Sequence, residues 1–181
     1  WINNWKQYFH QFYVDDILII PSWEEVQPED TPGMIIHIDP GTAFGTGAHE
    51  TTKLCICNLK KYLKPGDTLL DVGCGSGILS IIGMKLGAGC AIGTDIDKNA
   101  VETARENAKI NHLVVQSGKE TATRLPGTAE FRTGNIIGDD AFAQQVGEGC
   151  YNVVVANILA DVIIPLSATV KKHMAEGAYF I

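Results

Sequence analysis

The stretch from Thr68 to Asp97, TLLDVGCGSGILSIIGMKLGAGCAIGTDID, constrains the fold more than any other part of the chain. A short apolar run ends in a glycine turn, and the residues after the turn are apolar on nearly every side. That order predicts a buried strand, a sharp turn, a buried helix stopped at Gly87 and a second strand over CAIGTDID. Asp97 then stands where it would N-cap a helix carrying Val101, Ala104 and Ala108. EFRTGNI, YNVVVANI and AYFI read as further strands, separated by helical patterns over DDAFAQQV and the proline-containing VIIPLSATVKKHM. Strands alternating with helices imply a parallel sheet covered on both faces. Right-handed crossovers make it doubly wound, so the expected class is α/β with a mostly parallel sheet.

Upstream, Trp5, Phe9 and Phe12 recur at helical spacing and predict an amphipathic helix. DILIIPSW reads as a strand closed by Pro21, EEVQPEDTPG as a charged loop, and GMIIHID as another strand. A helix is expected from Thr51, with Cys55, Leu59, Tyr62 and Leu63 on one face, ending before Pro65-Gly66. QSGKETATRLPGT is polar and reads as a surface loop. The chain opens at Trp1 and stops within AYFI, a buried-strand pattern, and is expected to be part of something longer.

A net charge of −7 opposes a broad phosphate-binding face, because non-specific nucleic-acid affinity comes from clustered Lys and Arg. Five cysteines without a C-x-x-C pair suggest neither a disulfide framework nor a zinc site, and the five histidines are scattered, so no metal is expected. No apolar run approaches the roughly 20 residues needed to span a bilayer, and the opening residues lack a signal-peptide pattern. The expected location is the cytoplasm.

In a doubly wound sheet, ligands bind at the carboxyl ends of the strands. The turn Asp71-Val72-Gly73-Cys74-Gly75-Ser76-Gly77 lies at one such end, and glycines there let the backbone approach a ligand closely. A nicotinamide dinucleotide is the obvious rival ligand. Its fingerprint is G-x-G-x-x-G, whereas here the spacing is G-x-G-x-G with a carboxylate, Asp71, just before the turn. Asp71 would repel a pyrophosphate and suit an ammonium. Asp95, at the end of the next strand, can accept from both hydroxyls of a ribose. An amino-acid tail near Asp71 and a ribose near Asp95 describe S-adenosylmethionine better than a dinucleotide. Asn135 lies where an adenine edge is expected, with a turn role as the equal alternative. Asn157 closes the fourth strand beside the expected methyl group.

DVGCGSG, GTDID and ANILA, together with DPGTAFGTGAHETT at residues 39–52, resemble the methyltransferase family that modifies the eleventh protein of the large ribosomal subunit. The turn and acidic strand end are common to class I methyltransferases; the DPGTAFGTGAHETT segment is far more specific. The resemblance covers the whole chain. It implies a Rossmann-like class I methyltransferase fold, with the last strands of the family's usual sheet missing at the C-terminus. Residues 1–31 would be a linker helix and strand leading into an S-adenosylmethionine-binding domain over 32–181. The implied activity is S-adenosylmethionine-dependent methylation of amino groups, on lysine side chains and the N-terminal amine of that ribosomal protein. The implied partner is the ribosomal protein itself, with no direct nucleic-acid or membrane contact.

By this resemblance Thr52, Gly73, Asp95 and Asn157 match the family's cofactor contacts, with Asp71, Gly75 and Asn135 beside them. Phe44 and Thr46 match a loop that covers the cofactor, with Phe44 walling the methyl group and Asn157 orienting the amine. The chain departs from the family's pattern at Glu50, often Pro, and in its longer QSGKETATRLPGT loop. Asn157-Ile-Leu-Ala stands where many amino-directed methyltransferases carry Asn/Asp-Pro-Pro-aromatic. The alternatives are a class I methyltransferase acting on RNA or a small molecule, and a cofactor-binding module without catalysis.

Overall fold

The structure is a computed structural model that describes residues 8–41, 48–118 and 120–181, with the backbone alone at 48 and 49. Three short strands come first: β1 (Phe12–Val14), β2 (Ile17–Ile20) and β3 (Met34–His37). β1 and β2 pair antiparallel around a turn at Asp15, and β2 pairs parallel with β3, Ile17 opposite Met34. All four β2 side chains are buried. Burying each contributes about 1.5 to 3 kcal/mol, so this strand anchors the small sheet.

Helix α1 (Ala48–Tyr62) leads to the main body. There β4 (Thr68–Val72), α2 (Ile78–Lys85), β5 (Cys90–Asp95), α3 (Lys98–Ile110), β6 (Val114–Gln116) and β7 (Thr128–Thr133) follow in turn. Helix α4 (Asp140–Val146), β8 (Tyr151–Val155), α5 (Ala160–Thr169) and β9 (Met174–Phe180) complete it. The main sheet has the order β6-β7-β5-β4-β8-β9, and every pairing in it is parallel. The chain fills the β5 side first and then crosses to β8, so the switch point lies between β4 and β8.

Both faces of the sheet are covered, which is why its central strands are apolar without alternation. Leu69 of β4 faces a core shared with α1, α2 and α3, while Leu70 and Val72 face one shared with α4 and α5. The first core also takes in Val14, Ile17, Ile19, Ile36 and Ile38, so the small sheet has no interior of its own. It joins the main sheet through packing on α1 and through polar contacts with α3 described below. The β2–β3 pairing also crosses the division expected between residues 31 and 32.

Three local expectations are corrected. Phe9 to Gln11 are not helical and Phe12 opens β1; Phe9 instead packs edge-on against Phe12 and Trp23, with ring centroids 6.3 and 6.4 Å away. Trp5 lies outside the described residues. Helix α1 begins at Ala48, ahead of Thr51. β6 was not expected: it pairs only through Val114–Gln116, at the sheet's edge.

The loop after β6 is tied down by charge. Glu130 Oε2 accepts from the Thr123 N–H and hydroxyl, both at 2.9 Å, and Oε1 accepts from Arg132 at 2.7 Å. Arg132 in turn donates to the carbonyls of Gly118 and Glu120, both at 3.2 Å. Among the described residues no helix is long and apolar enough to cross a membrane.

Candidate functional site

The turn after β4 carries Gly73, Gly75 and Gly77 at φ of 70, 52 and 82°. That left-handed region strains any residue with a Cβ, which explains the glycine spacing. Backbone bonds hold the turn against β5: the Gly73 and Cys74 N–H groups both reach Thr94 O, at 2.8 and 2.9 Å. A Cβ on Gly77 would lie 2.9 Å from that of Ala104, so α3 closes directly onto the turn. A Cβ on Gly75 would meet no atom of the described residues within 4 Å.

Gly77 is also the N-cap of α2 and has no side chain to satisfy the helix's first N–H groups. Asp71 does this from the strand. Its Oδ2 accepts from the Ser80 N–H at 3.1 Å and the Ser80 hydroxyl at 2.7 Å. Burial pushes the Asp71 carboxyl up to about 6, the Ser80 bonds pull it down only in part, and the negative charge of Asp95 adds to the rise. A fully buried carboxylate in this state gains from a cation beside it.

Asp95 ends β5 half-buried. Its Oδ2 accepts from Gly75 N–H and its Oδ1 from Asp97 N–H, each at 2.9 Å. Each oxygen retains a second lone pair. Asp97 caps α3 as expected, accepting from Asn99 N–H at 2.8 Å.

Asn157 follows β8 and donates through Nδ2 to Thr52 Oγ1 at 2.9 Å; Thr52 is itself buried in α1. Asn135, after β7, spends its Oδ1 on a local turn, accepting from the N–H groups of Ile137 at 3.1 Å and Gly138 at 3.2 Å. The turn role is thus present at Asn135 beside its place in the cavity.

These groups converge. One cavity of about 370 Å³ at the carboxyl ends of β4, β5, β7 and β8 is lined by Thr52, Asp71, Gly73, Gly75, Asp95, Asn135 and Asn157. Phe44 and Thr46 lie outside the described residues. Four residues escaped the reading of the sequence: Ser76, Ser80, Ile96 and Leu159. Ser76 Oγ is buried in the cavity wall with no hydrogen-bond partner among the described residues. Ile96 and Leu159 also line the cavity, yet are 76% and 78% exposed, so they form an apolar rim at its mouth. Ser80 carried a signal, being the one polar residue before Lys85 in the helix ILSIIGMK; the orphaned state of Ser76 appears only once the turn is folded.

The donor set tests the expected cofactor. Two carboxylates, two amides and an unsatisfied hydroxyl suit a cationic ligand bearing hydroxyls and a carboxylate, and the apolar rim suits a flat ring. S-adenosylmethionine has each of these parts, so the residues present fit it.

Comparison with known proteins agrees with this geometry. A family model described as ribosomal protein L11 methyltransferase (PrmA) matches residues 1–181. A curated relative of that name from Lachnoclostridium phytofermentans is 56% identical over 184 residues, covering 100% of this chain and 55% of the relative. One from Agathobacter rectalis is 50% identical over 184 residues, covering 100% and 54%. The chain therefore spans about half the length of the curated relatives it matches. A crystal structure described as ribosomal protein L11 methylase from Lactobacillus delbrueckii subsp. bulgaricus superposes with a TM-score of 0.74 at 31% identity, covering 95% of this chain and 78% of that one. With a family model matched from end to end and the site's residues gathered at the switch point, the chain belongs to the ribosomal protein L11 methyltransferase family.

Proposed function

We propose that this chain forms the cofactor-holding and methyl-transferring part of an S-adenosylmethionine-dependent enzyme. Its substrates are amino groups, lysine side chains and the N-terminal amine, of a large-subunit ribosomal protein in the cytoplasm. The observation that carries this reading is the convergence of Asp71, Asp95 and Asn157 on one cavity at the switch point of the sheet.

When bound, S-adenosylmethionine supplies a methyl group on a positively charged sulfur. Asp71 receives the ammonium of its amino-acid tail, and the Ser76 hydroxyl donates to the tail's carboxylate. Asp95 accepts from the ribose hydroxyls through the lone pairs that Gly75 and Asp97 leave open. Ile96 covers the adenine face. With Nδ2 held by Thr52, Asn157 offers Oδ1 to an N–H of the incoming amine and so directs the nitrogen lone pair. The amine reacts only when neutral, and a partly desolvated site holding a positive charge lowers the pKa of an ammonium. Positioning then supplies much of the acceleration of an in-line displacement, and water takes the released proton. Phe44 as a wall to the methyl group and Thr46 as a further cofactor contact belong to the same proposal.

Calorimetric titration with S-adenosylhomocysteine, with NADH as control, tests this reading. S-adenosylhomocysteine alone is expected to bind, and Asp95→Ala to weaken it by about ten- to a hundredfold, the range for hydrogen bonds to a charged group. Binding of NADH instead, or an unaffected D95A variant, would refute it.

A further inference from the structure

The glycine turn is held from below by a side chain that does not line the cavity. Asn107, in the third turn of α3, is 1% exposed. Its Oδ1 accepts from Asp39 N–H at 3.0 Å, and its Nδ2 donates to both Asp39 O and Ser76 O at 2.9 Å. One helical turn later Asn111 repeats the contact on the same segment. Its Oδ1 accepts from His37 N–H at 2.9 Å, while its Nδ2 donates to His37 O at 2.7 Å and Asn107 O at 2.8 Å.

Residues four apart on a helix share a face, and residues two apart on an extended segment point their backbone groups the same way. Asn107 and Asn111 therefore read the backbone of residues 37 to 39 much as a neighbouring strand would. Asparagine is a poor residue for a helix interior, and a buried amide is costly unless its bonds are made. Here both donors of each amide are used.

The two differ in one respect. Beyond its bond to Asn107 O, Asn111 holds only the exit of β3 among the described residues, whereas Asn107 also holds the turn. The Ser76 carbonyl belongs to the same peptide group as the Gly77 N–H, which donates to Cys74 O at 2.8 Å and closes the turn. Fixing that carbonyl fixes the plane of this peptide, and with it the wall that carries Ser76 Oγ. Asp39 passes the constraint on, since its carboxylate accepts from the Ser22 N–H at 2.8 Å and hydroxyl at 2.7 Å just beyond β2.

We propose that Asn107 is a positioning residue for the cofactor turn, locking the Ser76 carbonyl and the Asp39 backbone into one frame from outside the cavity. The proposal rests on the reading of the glycine turn as the cofactor's seat. A purely structural role would make Asn107 and Asn111 equivalent; a positioning role separates them.

The test compares the chain with its Asn107→Ala and Asn111→Ala variants by amide hydrogen exchange without ligand, and by calorimetry with S-adenosylhomocysteine. N107A is expected to speed exchange both at residues 75–78 and at 37–41, and N111A at 37–41 only. Affinity is expected to fall about five- to tenfold in N107A, the loss of about one hydrogen bond's contribution, and to hold in N111A. Unchanged exchange at the turn in N107A, unchanged affinity in N107A, or equal losses in both variants would overturn the proposal. If N107A does not fold, Asn107→Ser, which keeps a shorter donor, is expected to show a smaller form of the same pattern and is judged by the same outcomes. If the unmodified chain fails to bind S-adenosylhomocysteine, the reading of the site falls, while the exchange measurements still decide whether Asn107 holds the turn.

Discussion

Asn157 Nδ2 and Thr52 Oγ1 meet at 2.9 Å, so the end of β8 and the second turn of α1 hold one another at the wall of the cavity. The bond chooses which end of the amide faces inward. Thr52→Val keeps the shape and removes the acceptor. It is expected to weaken S-adenosylhomocysteine binding about tenfold and to move the thermal midpoint by only a few degrees, as for the loss of one hydrogen bond. Because the two residues act as a unit, the double variant with Asn157→Ala should lose little more than the worse single variant. Fully additive losses in calorimetry would show that they act apart.

Asp71 gives a pH dependence with a definite sign. Its folded pKa, about 6, lies above the ordinary carboxylate value of 3.8. The stability it contributes is therefore fully present below about pH 4 and is lost as pH rises through about 6. An ammonium bound beside Asp71 would favour the carboxylate and lower its pKa. S-adenosylhomocysteine affinity is accordingly expected to rise between pH 5 and 7, with proton release near pH 6. Calorimetry in buffers of different ionisation enthalpy measures the released proton, and Asp71→Asn should abolish that part.

Glu130 and Arg132 form a buried pair, with side chains 1% and 10% exposed. Burial alone would raise the Glu130 carboxyl, but the Thr123 and Arg132 bonds hold it below its usual value. Removing one partner of such a pair leaves a buried charge, and Arg132→Met is expected to cost about 3 to 5 kcal/mol in urea unfolding. The double replacement Glu130→Leu, Arg132→Met should cost less than the single one. The loop at residues 117–124 should become protease-sensitive in both.

Much of this architecture was legible before folding. Strands buried on both faces read as largely apolar runs, and β4, β5 and β8 announced themselves that way, while β7 was legible despite its Glu130 and Arg132. β6 was not, because three residues at an edge carry little pattern. Phe9 and Phe12 misled because helical spacing also fits an aromatic cluster folded over a small sheet. At the site, carboxylates at strand ends were readable from position. The bond from Asp71 to Ser80 was not, since only the turn brings residue 80 back above residue 71. Asn107 and Asn111 carry no signal in the sequence, because their partners lie far away in the chain.

His173 should shape the acid side of the stability curve. It is buried, its Nδ1–H donates to Gly147 O at 2.6 Å, and Nε2 has no partner among the described residues. Burial pushes its pKa below the ordinary 6.5. Its contribution is therefore present above about 6.5 and is lost as pH falls through the folded value. Between pH 7 and 5 this loss opposes the gain from Asp71, so the test is the difference between variants. Replacing the imidazole in His173→Phe removes the loss, and the variant's thermal midpoint should rise relative to that of the unmodified chain as pH falls from 7 to 5, even if the variant is less stable overall.

The switch in strand order has a consequence for a chain still being made. Asp71, Ser80 and Asp95 lie within one βαβ unit, β4-α2-β5, whose strands are neighbours in the sheet. The other flank of β4 stays bare until β8 arrives, and Asn157 can reach Thr52 only after that. The turn with Asp71, Ser80 and Asp95 can thus take shape early during translation, whereas Asn157 joins it late. A nascent chain stalled before β8 would lack the side of the cavity that Asn157, Ile158, Leu159 and Val162 supply.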